Sequence, residues 1–196
     1  MLLRQCQNSL DWWERFACSG RGLALMFLWA LAEATVWPII PDALLVPMAV
    51  GARRFFPRLL AASIVGSTLG GIMTFSFASY QPEAATAILP HLPTVQPHAV
   101  ERANSMLAER RVMAFWAQPL SGLPFKTFAV LGAAQDMDPW QVMSISTAAR
   151  ALRMGSTGGI AALLAWPLRG FLRDFFLYLA VAYLLLFAFG WWLTQM

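Results

Sequence analysis

Five charged residues stand where this chain is otherwise apolar: Glu33, Asp42, Lys126, Arg150 and Arg153. Arg150 and Arg153 are spaced i, i+3, which places both guanidiniums on one face of a helix, close to Ser146 and Thr147. Planar guanidinium forks match the oxygens of a phosphate, and Lys126 adds a compact point charge. Counted together, two acids face three bases, which leaves one positive charge without a partner in the sequence. A phosphate would neutralise it. The chemistry expected of this set is electrostatic capture of an anion. A carboxylate such as Glu33, buried among bases, can also change protonation as its surroundings change, which gives a physical route to proton coupling.

The elements that position these residues are unusual. The stretch Ala32–Pro57 reads AEATVWPIIPDALLVPMAVGARRFFP, and Met113–Pro139 reads MAFWAQPLSGLPFKTFAVLGAAQDMDP. Each holds a pair of prolines expected to break a helix (Pro38 and Pro41, then Pro119 and Pro124) and a short apolar run. Each then exits through Gly-Ala (Gly51-Ala52, then Gly132-Ala133) and is followed by a long Gly-rich segment. Paired proline-broken apolar segments in the two halves of a membrane chain point to a binding site at a repeat interface. Glu33 is the twelfth residue counted from Gly22, ~18 Å along a helix at ~1.5 Å per residue, deep within a hydrocarbon core ~30 Å thick. Arg150 and Arg153 lie ~15–20 Å beyond Trp140 by the same measure. A charge at that depth costs at least ~2.5 kcal/mol, so these residues are expected to be paired or functional. Asp42, after Pro41, has a second reading as the cap of the half-helix it begins.

Composition agrees with a bilayer as solvent. The chain has 196 residues, is 59% hydrophobic and only 12% charged, and holds nine Trp; its mean hydropathy is +0.57. That charge content is too low for an ordinary soluble domain. The basic residues are scattered through loops rather than gathered on one polar face, which argues against a nucleic-acid partner. Cys6 and Cys18 have no metal-ligand or redox spacing. No metal and no cofactor are expected. Arg4, Arg15 and Arg21 precede the first broken region and Arg53, Arg54 and Arg58 follow it. Positive flanks on both sides predict that this region enters and leaves from the cytoplasmic face.

The expected fold is therefore an all-α integral membrane protein. Two re-entrant helical hairpins face each other as an inverted repeat, with about three transmembrane helices. Residues 1–21 are a cytoplasmic leader or interfacial helix, and 22–196 one membrane domain. Within it, 22–58 is the first hairpin, 59–80 a transmembrane helix, and 81–111 an outer loop with an amphipathic helix. The second hairpin spans 112–139, and transmembrane helices span 140–168 and 171–195. Trp140, Trp166, Trp191 and Trp192 are expected as interfacial anchors.

Glu33, Pro38, Pro41-Asp42, the glycines Gly66, Gly70 and Gly71, and the second hairpin Gln118-Pro119-Leu120-Ser121-Gly122-Leu123-Pro124-Phe125-Lys126-Thr127-Phe128-Ala129 resemble the DedA family, also called the VTT or SNARE-associated domain, in its short YqaA-like branch. The likeness covers most of 31–159. The family's acidic residue before the Pro motif matches Glu33, and the one after it matches Asp42. The family's Arg-x-x-Pro-x-x-Arg signature is replaced here, with Trp116 near the first arginine and Lys126 near the second. The resemblance implies a bacterial inner-membrane protein with a cytoplasmic N-terminus. Its implied activity is carrying an anionic lipid, undecaprenyl (polyprenyl) phosphate or a phospholipid, between leaflets as a flippase linked to proton motive force. On that reading Lys126, Arg150, Arg153, Gln118 and Ser121 meet the substrate, Glu33 and Asp42 couple protons or form ion pairs, and a homodimer is a candidate assembly.

Two other classes remain open. A membrane-embedded lipid pyrophosphate phosphatase would use Ser121 as nucleophile, but His91 and His98 both fall in the outer loop, leaving no buried histidine base. A small-ion transporter fits less well, because an excess of buried positive charge opposes a cation site. The expectation is a carrier rather than an enzyme.

Overall fold

In a computed structural model, which describes residues 2–92 and 95–193, the chain is all-helical, with no strand among the described residues. The side chains of Arg4, Cys6, Trp191 and Trp192, named above, lie outside the described ones. Ten α-helices follow in order: α1 (Leu2–Ala17), α2 (Gly20–Thr35), α3 (Asp42–Gly51), α4 (Phe56–Tyr80), α5 (Pro82–Ile88), α6 (Pro97–Arg110), α7 (Ala114–Ser121), α8 (Phe125–Ala134), α9 (Pro139–Leu164) and α10 (Arg169–Leu193).

The breaks follow from local chemistry. Pro38 and Pro41 hold residues 36–41 out of helix, since neither ring can continue the α2 hydrogen-bond ladder. Pro41 takes the N-cap position of α3, without a side-chain capping bond there, so Asp42 is the first helical residue. The capping reading of Asp42 is thereby corrected: a cap must sit outside the helix with its oxygen on an orphan N–H, and Asp42 is already inside. Pro119 also departs from expectation. It lies inside α7, and the chain instead turns at Gly122, which adopts φ +74. A left-handed residue without a Cβ ends a helix more cheaply than a proline six residues into it. Pro124 sits at the N-cap of α8, where its fixed φ suits a helix start. Within 81–111, α6 falls on the expected amphipathic helix, and α5 is a second helix that the sequence reading did not anticipate.

One described helical stretch, Arg53–Tyr80, is long and apolar enough to cross a membrane; the bent pair Leu10–Ala17 and Gly20–Thr35, 75° apart, adds a second when taken as one span. Helix α4 buries Ser63 and Ser67 together with Leu59, Phe75 and Ala78, and exposes Val65, Leu69, Ile72, Met73 and Phe77, which recur at helical spacing along one face.

The helices pack into two compact units, each assembled from segments distant in sequence. One comprises 1–26, 40–63 and 154–196, and brings α1 against α3 and α10. The other comprises 27–39 and 64–153. Its core gathers Phe75, Leu107, Phe115, Phe125, Phe128 and Val142 around the α7–α8 hairpin. That hairpin closes tightly: Phe115 meets Phe128 edge-on at 5.8 Å, and a Cβ on Gly132 would stand 2.9 Å from the Phe115 ring.

Candidate functional site

The 27–39 and 64–153 unit brings Glu33, Lys126 and Arg150 into its interior. Glu33 is on the last turns of α2, Arg150 is midway along α9, and Lys126 opens α8. All three are buried, Lys126 with only 1% of its surface exposed. An Arg150 Nη2 donates to the Glu33 carboxylate in a buried ion pair. The other Nη faces the Ser67 carbonyl of α4 at 3.5 Å, and the guanidinium lies 4.5 Å from the centre of the Phe125 ring. Carboxylate, carbonyl and aromatic face thus answer the desolvation of one cation from three sides.

Lys126 is turned into the interior of its unit. Its ammonium donates to the Trp37 carbonyl at 2.9 Å, in the non-helical break after α2. Trp29 Nε1 donates to the Ile39 carbonyl at 3.2 Å, and the Trp29 and Trp37 rings meet edge-on at 5.7 Å. Two carbonyls freed by the proline break therefore find donors inside the protein, which is what non-helical backbone needs where no water is at hand. Thr74 Oγ1 also donates to the Ala34 carbonyl at 2.8 Å, tying α4 to the end of α2.

Around Arg150, Ser67, Thr68, Gly71, Phe125, Met143, Ser146 and Thr147 close the space, leaving no volume for a water molecule. Thr68 and Thr147 share a hydrogen bond of 3.0 Å, either hydroxyl donating. Gln118 and Ser121 serve the hairpin turn instead. Gln118 Nε2 donates to the Leu123 carbonyl (2.7 Å), and Ser121 Oγ donates to the Gln118 carbonyl (2.7 Å) while accepting from the Leu123 N–H (3.2 Å).

Asp42 belongs to the 1–26, 40–63 and 154–196 unit. Thr157 Oγ1 donates to its carboxylate at 2.6 Å, and the Tyr183 hydroxyl donates to its main-chain carbonyl at 3.1 Å. Arg153 is only half-buried. Four of the five charges are therefore buried, two acids and two bases, and the expected uncompensated positive charge is absent from that buried set. The sequence count failed because it assigned depth from helix position alone, which cannot tell an inward face from one partly open.

Several contacting residues were not singled out from the sequence. Thr157 carries a readable signal, standing seven residues after Arg150 and so on the same helical stripe. Tyr183 is a hydroxyl among the aliphatic residues of α10. Phe125 offered none, because one aromatic among many gives no sign of the cation it covers. Comparisons of the chain with protein-family models, curated proteins and solved structures find no match.

Proposed function

We propose that this chain is an integral membrane carrier that moves an anionic, phosphate-bearing lipid between leaflets, and that the likeness of its motifs to the DedA family reflects a shared way of working. The observation that carries the reading is the buried Glu33–Arg150 pair, with Lys126 beside the broken end of α2. A membrane setting is supported by the apolar face that α4 turns outward and by the internally satisfied carbonyls of Trp37 and Ile39. Helices α7 and α8, at ~12 and ~15 Å, each reach about halfway through a ~30 Å hydrocarbon core, as a re-entrant hairpin does. In this proposal α4, α9 and α10 are the full spans, 22–58 is the other re-entrant hairpin of an inverted repeat, and the N-terminus is cytoplasmic in a bacterial inner membrane.

The mechanism is an exchange of partners. At rest Glu33 neutralises Arg150 and the surrounding space is shut to water. A lipid phosphate, offering two oxygens to the guanidinium fork, displaces the Glu33 carboxylate as the partner of Arg150. The headgroup passes the thin barrier between hairpins while its chains stay in the bilayer. Departure of the phosphate restores the internal pair, and proton motive force, which the likeness to the DedA family implies, drives the cycle. One carboxylate competing for one guanidinium keeps binding weak enough for release. The lipid phosphatase reading falls behind, because Ser121 already spends its hydroxyl on the hairpin turn. Transbilayer movement of a labelled lipid phosphate in liposomes, for the wild type and for Glu33→Gln/Arg150→Gln, tests the proposal.

A further inference from the structure

A second cluster of cations lies in the 1–26, 40–63 and 154–196 unit, and shares no residue with the Glu33, Lys126 and Arg150 site. A cavity of about 280 Å³ is lined there by Glu14 of α1, Gly51 at the end of α3, Arg53 and Arg54 of the following turn, and Ala165 and Trp166 just past α9. Arg53 stacks its guanidinium over the Trp166 ring, 5.1 Å from the ring centre. Among the described residues, neither Arg53 nor Arg54 is in an ion pair. The lining thus carries two guanidinium charges against one carboxylate, Glu14.

The Trp166 ring beneath Arg53 restricts where that guanidinium can go, and guanidinium forks recognise a phosphate through two parallel hydrogen bonds. The volume falls just below the ~300 Å³ lower end of small-molecule sites, so it suits a headgroup and not a whole lipid. The position agrees. The cavity opens where α3 and α9 end and where the stretch Arg53–Tyr80, apolar enough to cross a membrane, begins. Basic pockets at the ends of spanning helices, with a tryptophan at the same level, are where anionic headgroups are held at a membrane surface.

We propose that this cavity binds a phosphate-bearing anion through Arg53 and Arg54, with Trp166 as the platform that presets Arg53. The site is separate from the Glu33–Arg150 pair and does not depend on transport. It accepts either the phosphodiester of an anionic lipid or free phosphate, and the two sources are separable by experiment.

The test is isothermal titration of the full chain in a neutral detergent with three probes: dihexanoyl phosphatidylglycerol, zwitterionic dihexanoyl phosphatidylcholine and inorganic phosphate. The phosphatidylglycerol is expected to bind, and Arg53→Gln/Arg54→Gln to weaken it ~10-fold or more. Arg53→Lys, which keeps the charge but loses the fork, is expected to fall between. Arg54→Gln alone, at an exposed position, replaces the double variant if thermal melting shows that the latter does not fold. Inorganic phosphate binding with the same sensitivity to substitution assigns the site to free phosphate; binding of the anionic lipid alone assigns it to a headgroup. Glu33→Gln/Arg150→Gln is expected to leave this binding unchanged. Equal binding of both lipids, binding indifferent to Arg53 and Arg54, or binding lost with Glu33 and Arg150 would each overturn the proposal.

Discussion

Arg150 and Glu33 stand 117 positions apart in sequence and meet as a buried ion pair that joins the middle of α9 to the last turns of α2. Removing one member leaves the other buried without a counter-charge, which costs ~3–5 kcal/mol, whereas neutralising both removes the pair and its desolvation together. Glu33→Gln and Arg150→Gln are each expected to lower unfolding free energy by about 3 kcal/mol, and the double variant by much less than the sum. Denaturant titration in detergent measures this cycle. Additive losses would show that the two side chains do not depend on one another.

Lys126→Met is expected to loosen the break after α2. The Trp37 carbonyl would lose its ammonium donor (2.9 Å), and an unsatisfied buried acceptor costs ~1–3 kcal/mol. Hydrogen exchange over residues 36–41 is the readout, with faster exchange expected there than on α6. Unchanged exchange would mean that the lysine contributes nothing to holding the break.

What the sequence made legible was the helix–break pattern, because proline and glycine act locally. Helices α2, α3, α7 and α8 start or stop at or near Pro38, Pro41, Gly122 and Pro124. That Glu33, Lys126 and Arg150 would need partners was legible too, since charge in an apolar run is conspicuous. Their partners were not, because which carboxylate meets which base depends on long-range packing that spacing does not encode. Nor was the division into two units visible, since α2, α4 and α9 each contribute residues to both. Pro119 misled because its helix tolerates a ring whose missing N–H costs a single bond.

A pair of glycine substitutions tests close packing against open surface. A Cβ on Gly66 would stand 2.2 Å from the Phe27 carbonyl oxygen, while one on Gly170 meets nothing within 4 Å. Gly66→Ala is expected to cost ~1–3 kcal/mol through backbone displacement. Gly170→Ala, in the first turn of α10, is expected to be neutral or to stabilise by up to ~1 kcal/mol. Thermal melting of both variants decides the matter, and equal melting temperatures would contradict the α2–α4 packing.

Labelling tests the orientation of the first broken region. Cys18 is exposed, and burial, then the nearby Glu14 charge, push its thiol up, with Arg58 opposing. The thiolate is therefore scarcer near pH 7 than for an ordinary thiol, and maleimide labelling is expected to be slow there and to accelerate as pH rises toward about 9. Cys18 is labelled in a chain lacking only Cys6; Ala52 is buried, so the partner site is Pro57→Cys at an exposed position, labelled in a second chain with both native cysteines replaced. Both sites are expected to label from the cytoplasmic face only. Labelling of the two from opposite faces would contradict a re-entrant 22–58 region.

The most direct measurement is the rate at which a fluorescent lipid phosphate crosses liposomes containing the purified protein, with and without an imposed pH gradient. The wild type is expected to move the lipid faster than empty liposomes do, and faster still with the gradient. Glu33→Gln/Arg150→Gln, which avoids a stranded buried charge, is expected to fold and to fall to the empty-liposome rate. Equal rates for wild type, double variant and empty liposomes under both conditions would contradict the exchange of Glu33 for a lipid phosphate at Arg150.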